Sequence, residues 1–213
     1  MTVATDRLRQ TPGQSPDQFP DQRRMTLKEF LIYDDGTDAR YELWNGVLVE
    51  MGAESRINIR IAIFLIQHLA LLNITSDRIG IKEKIEVRSD FVASARDADL
   101  IIHSEASSRA LEGRSESCLT LGDPNPLLVI EVVSPGKEST DNYQRDYVQK
   151  PSEYADRGIP EFWQIDPSRD SVRVGTLTDG AYQFQTFKGD ETIVSSTLPE
   201  LRLTAAIVLA GRA

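Results

Sequence analysis

The sequence predicts one mixed α/β domain, with a central sheet, flanking helices and a β-hairpin near each end. Three observations lead there. Asn45-Gly46 separates two short apolar runs, Tyr41-Glu42-Leu43-Trp44 and Val47-Leu48-Val49-Glu50-Met51, and Asn-Gly suits a hairpin turn because both residues accept positive φ. Ile57, Ile61, Phe64, Leu65, Leu69 and Leu72 recur at three- and four-residue intervals, the signature of one buried helix face. Between and beyond them lie apolar runs of strand length at 84–88, 99–103, 127–133 and 161–166.

Taken in order, residues 1–24 are rich in Gln, Asp, Pro and Thr and offer almost nothing to bury, so a disordered tail is expected ahead of a domain at 25–213. Thr26-Leu27-Lys28-Glu29 has the form of a capping box, in which hydroxyl and carboxylate each satisfy a free amide at a helix start. The first hairpin and the helix over 55–73 follow. His68 lies on the apolar face of that helix, as a core-edge residue or, alternatively, as a ligand. Residues 104–123 are polar and poorly periodic, which predicts a loop or a surface helix. A second hairpin is signalled by Val172 and Val174, then Thr178-Asp179-Gly180, then Tyr182, Phe184 and Thr186 in alternation.

Composition narrows the function classes. A chain of 213 residues buries about 70% of its unfolded surface as one domain. Cys118 is the single cysteine and there are two histidines, which excludes an intramolecular disulfide and a Cys-based zinc site. The absence of a signal peptide or membrane-length apolar run predicts a cytoplasmic protein with no membrane partner. Net charge is −9, and a field of that sign repels phosphate backbones. Contact with nucleic acid therefore needs a local basic strip.

Two carboxylates interrupt strand-forming runs: Asp99 before Leu100-Ile101-Ile102, and Glu131 within Leu127-Leu128-Val129-Ile130-Glu131-Val132-Val133. A buried ionised carboxylate is costly unless paired, hydrogen-bonded or metal-bound. If the strands are neighbours, the pair suits Mg²⁺ (or Mn²⁺), whose sites use oxygen ligands and one or two carboxylates. Gly136-Lys137 after a strand suggests a phosphate-binding loop, but Glu131 stands where that motif needs its first glycine and Glu138 where it needs Ser or Thr. Nucleotide hydrolysis is set aside on that ground.

With Asp99 as the first acid and Glu131 as the second, the sequence resembles the PD-(D/E)XK nuclease superfamily. A closer resemblance is to the Uma-type restriction endonuclease family. It is carried by Tyr41-Glu42-Leu43-Trp44-Asn45-Gly46 with Val49-Glu50-Met51, Asp99-Leu100-Ile101-Ile102, Val129-Ile130-Glu131-Val132-Val133-Ser134-Pro135, Arg145-Asp146-Tyr147 with Lys150, and Glu153-Tyr154-Ala155 through Gly158-Ile159-Pro160-Glu161-Phe162-Trp163 to Asp166-Pro167. These stretches span roughly 25–205. The resemblance implies a restriction-endonuclease-like fold with a central mixed sheet, metal-dependent hydrolysis of DNA phosphodiester bonds, and a homodimer. It implies Glu42, Asp99 and Glu131 as the acids, with Asp99 and Glu131 holding the metal. The superfamily lysine stands two residues after the last acid, where this chain has Val133, and the cation is expected instead from Lys150 on the following helix.

Two departures bear on that transfer. Ala98 stands where proline is frequent, a mild change. Pro151 follows Lys150 directly; proline removes one helical amide, clashes with the carbonyl of Tyr147 and pushes Lys150 out of helical dihedrals. Two helices, or one kinked at Lys150, are expected. An impaired nuclease fold serving as a binding or regulatory module is the alternative function.

Each candidate also has a plain reading. Glu42 can be an exposed hairpin residue, Asp99 a strand-end cap, Glu131 a purely structural acid, and Lys150 a solvated partner of Asp146 at i, i+4. Lys137 is a further candidate cation. Glu86 is favoured as a solvent-facing edge residue over a supporting acid. Tyr147, Tyr154, Phe162 and Trp163 are expected to pack helix against sheet, and Arg145 is left between phosphate contact and ordinary surface.

Overall fold

The computed structural model describes residues 9–10, 23–134 and 136–212. Among these residues, ten strands form one mixed sheet: β1 (Arg9–Gln10), β2 (Tyr41–Trp44), β3 (Val47–Glu50), β4 (Ile79–Val87), β5 (Ser94–Ile102), β6 (Cys118–Leu119), β7 (Leu128–Val132), β8 (Glu161–Asp166), β9 (Ser171–Thr178) and β10 (Ala181–Phe187). Its order is β1-β3-β2-β5-β7-β8-β9-β10, with β4 also on β5 and β6 on β4. The helices are α1 (Leu27–Leu31), α2 (Arg56–Leu71), α3 (Glu105–Leu111), α4 (Asp141–Gln144), α5 (Lys150–Arg157) and α6 (Ala205–Ala210). The tail expected over 1–24 lies largely outside the described residues; within it, Arg9 and Gln10 pair in parallel with Leu48 and Val49.

Local chemistry accounts for most of these elements. Asn45 at φ 50° and Gly46 at φ 81° turn β2 into β3, and Asp179 and Gly180 do the same for β9 and β10. A Cβ at Gly46 would stand 2.6 Å from that of Arg24, so this turn excludes other residues by space as well as by φ. Thr26 and Glu29 form the expected capping box at α1. Ser55 caps α2 by accepting from the Asn58 amide.

Strand alternation sorts side chains between two cores. Leu100, Ile102, Leu128, Ile130, Val132 and Trp163 join Ile61, Phe64, Leu65 and Leu69 of α2 and Val208 of α6. Ile101, Val129 and Phe162 point the other way and pack with Tyr154 of α5. Asp99 and Glu131 share the parity of Ile101 and Val129, so both belong to the α5 face. Phe162 and Tyr154 meet edge to face at 5.2 Å. Trp163 packs on the opposite face, against α2, rather than under α5.

The site arises from a gap in this sheet. β4 lies along one edge of β5, residues 79–87 against 94–102. β2 and β7 therefore share the other edge, β2 through Leu43 opposite Ala95 and β7 through 128–130 opposite 100–102. Between them, the stretch 96–99 faces side chains instead of a strand. The Asp97 amide donates to Glu42 Oε1 at 3.3 Å, and the Val132 amide donates to Asp99 Oδ2 at 2.6 Å.

Several expectations are corrected by the structure. β5 begins five residues before Asp99, and all nine of its residues are buried; Arg96 and Asp97 resemble loop residues only because their partners are distant in sequence. β4 starts at Ile79 rather than at 84. Residues 104–123 contain both α3 and the short β6. Lys150 keeps helical dihedrals, φ −55° and ψ −45°, beside Pro151. The preceding turn, 145–149, is π-helical, and the Lys150 amide donates to Arg145 O. The wider turn accommodates the proline that an α-helical turn would reject, and such turns recur at functional sites.

Candidate active site

Glu42 from β2, Asp99 from β5 and Glu131 from β7 converge on the α5 face with Lys150. Lys150 Nζ lies 2.9 Å from Glu131 Oε2, 3.3 Å from Glu42 Oε1 and 3.9 Å from Asp146 Oδ1. Its side chain is 3% exposed, which overturns the reading of Lys150 as a solvated helix residue. The exposed-hairpin reading of Glu42 fails equally, since Glu42 is fully buried.

Each charge has an identifiable counterpart. Arg96, itself buried, donates to Glu42 Oε2 at 3.1 Å and makes two 2.6 Å bonds to Glu153 of α5. Such paired geometry is the strong form of carboxylate recognition. Burial opposes ionisation of Glu42, yet Lys150 and then Arg96 hold its carboxyl down to about 2. Glu131 behaves oppositely. Burial, with the nearby charges of Asp99 and Glu42, pushes it well above the ordinary carboxylate range despite Lys150. The Tyr154 hydroxyl donates to Glu131 Oε1 at 2.9 Å, and burial followed by the Glu131 charge raises its phenol.

Asp99 has a cation that sequence reasoning missed. Lys82 of β4 donates to Asp99 Oδ1 and, at 2.7 Å, to Glu54 Oε1 just before α2. Burial works against its charge, but Asp99 and Glu54 raise its pKa above the ordinary lysine value. Arg40 joins Glu54 at 3.0 Å and approaches Asp97 at 3.7 Å. Asp97 Oδ1 is buried and accepts no hydrogen bond, and burial pushes the Asp97 carboxyl up. These groups line one pocket that includes Arg40, Glu54, Lys82, Asp97, Asp99, Glu131, Arg145 and Lys150.

Other candidates, Arg145 excepted, fall outside it. Lys137 is exposed on the loop after β7. Glu86 accepts from the Leu121 amide at 2.7 Å, away from the acids. His68 is half-buried, with Nδ1 2.9 Å from Phe64 O, an edge position with no metal partner among the described residues. Tyr147 stacks on Tyr143 at 4.5 Å and donates to Asp166. Arg145 pairs with Asp146 at 3.0 Å. Glu54, Arg96, Asp97, Glu153 and Tyr154 complete the site; the one sequence signal for the first strand's share was the charged run Arg96-Asp97-Ala98-Asp99 leading into apolar residues.

The donor set can be tested against a divalent ion. Among the described residues, no group of three His, Cys, Asp or Glu side chains stands together as a ready cage. Magnesium does not need one; it uses one or two carboxylates and keeps several waters. Asp99 and Glu131 offer hard oxygen ligands, an ammonium already sits on Asp99, and buried Asp97 Oδ1 has no hydrogen-bond partner. The donor chemistry of Asp99 and Glu131 fits a hard divalent cation.

The mixed sheet parts between two strands, acids from three strands meet on one face, and two of them, Glu42 and Glu131, hold Lys150; the fold is nuclease-like. Residues 27–206 match the family described as "Uma2: Putative restriction endonuclease", and the chain belongs to that family. Among solved structures it is similar to one described as a putative nuclease belonging to DUF820 from Anabaena variabilis, at 16% identity and a TM-score of 0.61. The match covers 88% of this chain and 98% of that one. No curated protein matches. No helix among the described residues is long and apolar enough to cross a membrane.

Proposed function

We propose that the protein is a metal-dependent endonuclease hydrolysing DNA phosphodiester bonds, with Asp99 and Glu131 holding Mg²⁺ or Mn²⁺. The observation that carries this reading is the convergence of Glu42, Asp99, Glu131 and Lys150 from four elements in one buried cluster. When bound, the ion supplies Lewis acidity toward a phosphoryl oxygen and lowers the pKa of a coordinated water.

The chain's own groups do the rest. Lys150 and Tyr154 each bond one oxygen of Glu131 and so fix the carboxylate's orientation. Val132 N–H does the same for Asp99. Glu42, kept ionised, anchors Lys150 at the pocket wall beside Arg145 and Arg40. A unit positive charge about 4 Å from a developing negative one contributes roughly 4 kcal/mol at an effective dielectric of about 20. Arg40, Lys82 and Arg145 line the same pocket, each paired with a carboxylate, and are the cations available there to a phosphate backbone in a chain of net charge −9. A homodimer would let two such sites address two strands.

The second reading, a nuclease fold that binds without cutting, is favoured by one observation: the oxygens of Asp99 and Glu131 are already engaged by Lys82, Val132, Lys150 and Tyr154. Calorimetric titration with Mn²⁺, with and without DNA, separates the two. The endonuclease reading expects a site that is lost in Asp99→Asn; no heat of binding in either condition favours the module.

A further inference from the structure

Lys82 occupies a backbone position that a lysine rarely takes. It lies inside β4 at φ 54°, although Ile81 and Glu83 on either side keep regular pairing with Leu100 and Ala98. A left-handed conformation inside a strand is strained for a side chain with a Cβ and persists where the surroundings over-determine it. Here the conformation sits opposite Asp99, and the side chain ends on that carboxylate. The same ammonium bonds Glu54 Oε1 at 2.7 Å. Its side chain is 29% exposed, against 3% for Lys150, so it is the more accessible of the two lysines.

We propose that Lys82 is a tethered counter-cation that holds the divalent-ion position on Asp99 and moves onto Glu54 when a metal binds. The inference rests on the metal-site reading above. In the metal-free protein the ammonium neutralises a carboxylate whose other oxygen is bound to the Val132 amide. A divalent ion at Asp99 competes with it, because two positive charges at contact distance of one oxygen repel each other. Glu54, itself bonded to Arg40 at 3.0 Å, is already within reach of the ammonium and can keep it after displacement. Lys82 is thus a positioning residue that sets the metal-concentration threshold of the site, and it remains beside the pocket once released.

The test is calorimetric titration of Mn²⁺ into the full chain and its variants, with thermal melting of each metal-free protein. Lys82→Met removes the charge and keeps the aliphatic stem; Lys82→Gly also relieves the backbone strain and guards against a folding defect. Both should bind Mn²⁺ with a Kd lower by about tenfold or more, equivalent to about 1.4 kcal/mol. Metal-free Lys82→Met should melt lower than the parent, and the melting increase on adding Mn²⁺ should be larger. Glu54→Gln should weaken Mn²⁺ binding by leaving the ammonium no charged second partner, and Lys82→Met combined with Glu54→Gln should restore it. An unchanged Kd in both Lys82 variants, with the parent still binding Mn²⁺, overturns this inference and leaves the metal site standing. No binding by the parent and by every variant overturns both. Weak binding that persists in the double variant makes Glu54 a ligand rather than an acceptor and also overturns it.

Discussion

Lys150 Nζ and Glu131 Oε2 meet at 2.9 Å across nineteen positions of sequence and a proline-bearing helix. The contact exists because residues 145–149 form a π-turn, which lets the chain keep Pro151 and still direct Lys150 at the sheet. A lysine thus reaches Glu131 from a helix instead of from the strand that carries Val133. The strand slot is filled by a valine that is 2% exposed, useful for packing and free of the constraint to hold a charge.

Removal of Lys150 should be costly in two ways. Lys150→Met leaves Glu42, Glu131 and Asp146 buried around a lost charge, and breaking such a group costs about 3–5 kcal/mol. Chemical denaturation should show that loss, and it should shrink at low pH as the acids protonate. Cleavage of DNA should fall by a factor on the order of 10²–10³, the scale of losing one preorganised electrostatic group.

The two buried glutamates should give opposite pH dependences. Glu42 has a folded pKa of about 2 against 4.5 for the free side chain. Its stabilisation is therefore complete above about 4.5 and is lost as pH falls toward 2, a change on the order of 3 kcal/mol. Glu131 is raised, so the folded chain binds its proton more tightly than the unfolded one, and stability declines as pH climbs above 4.5. Metal-free Glu131→Gln should consequently gain on the parent as pH rises, by a few degrees in Tm at neutral to mildly alkaline pH. Melting curves from pH 3 to pH 9 check both limbs; a Gln variant that loses ground with rising pH contradicts the assignment.

Cys118 sits in the short strand β6 and is 2% exposed. Burial, then the Glu86 charge, pushes its thiol up to about 11, so little thiolate exists at neutral pH and the sulfur is inert. A thiol-reactive dye at pH 8 should label the native protein at least about a hundredfold more slowly than the denatured chain. Rapid native labelling would show that β6 opens readily from β4.

How much of this was legible in the sequence depends on range. The hairpin turns at Asn45-Gly46 and Asp179-Gly180 and the capping box at Thr26 and Glu29 are settled by neighbours, and each stands where local rules place it. Asp99 and Glu131 stand out because an acid inside an apolar run demands a partner. The partners themselves were harder to see. Arg96 meets Glu153 from 57 positions away, and without that pairing β5 looks like a strand that begins only at Asp99. Lys82 depends on a left-handed residue within a strand, which no periodicity announces. The Pro151 rule misled because it describes an α-helical turn, and the chain uses a wider one. Val133 shows that no lysine stands two residues after Glu131, and only the fold shows that Lys150 reaches that acid.

The central claim, that Glu131 and Asp99 serve a divalent ion in DNA hydrolysis, is tested most directly by cleavage of supercoiled plasmid. The parent protein with Mn²⁺ or Mg²⁺ should nick or linearise the plasmid, chelation should stop it, and Glu131→Ala should reduce it to background while the variant remains folded. Undiminished metal-dependent cleavage by Glu131→Ala would contradict the account.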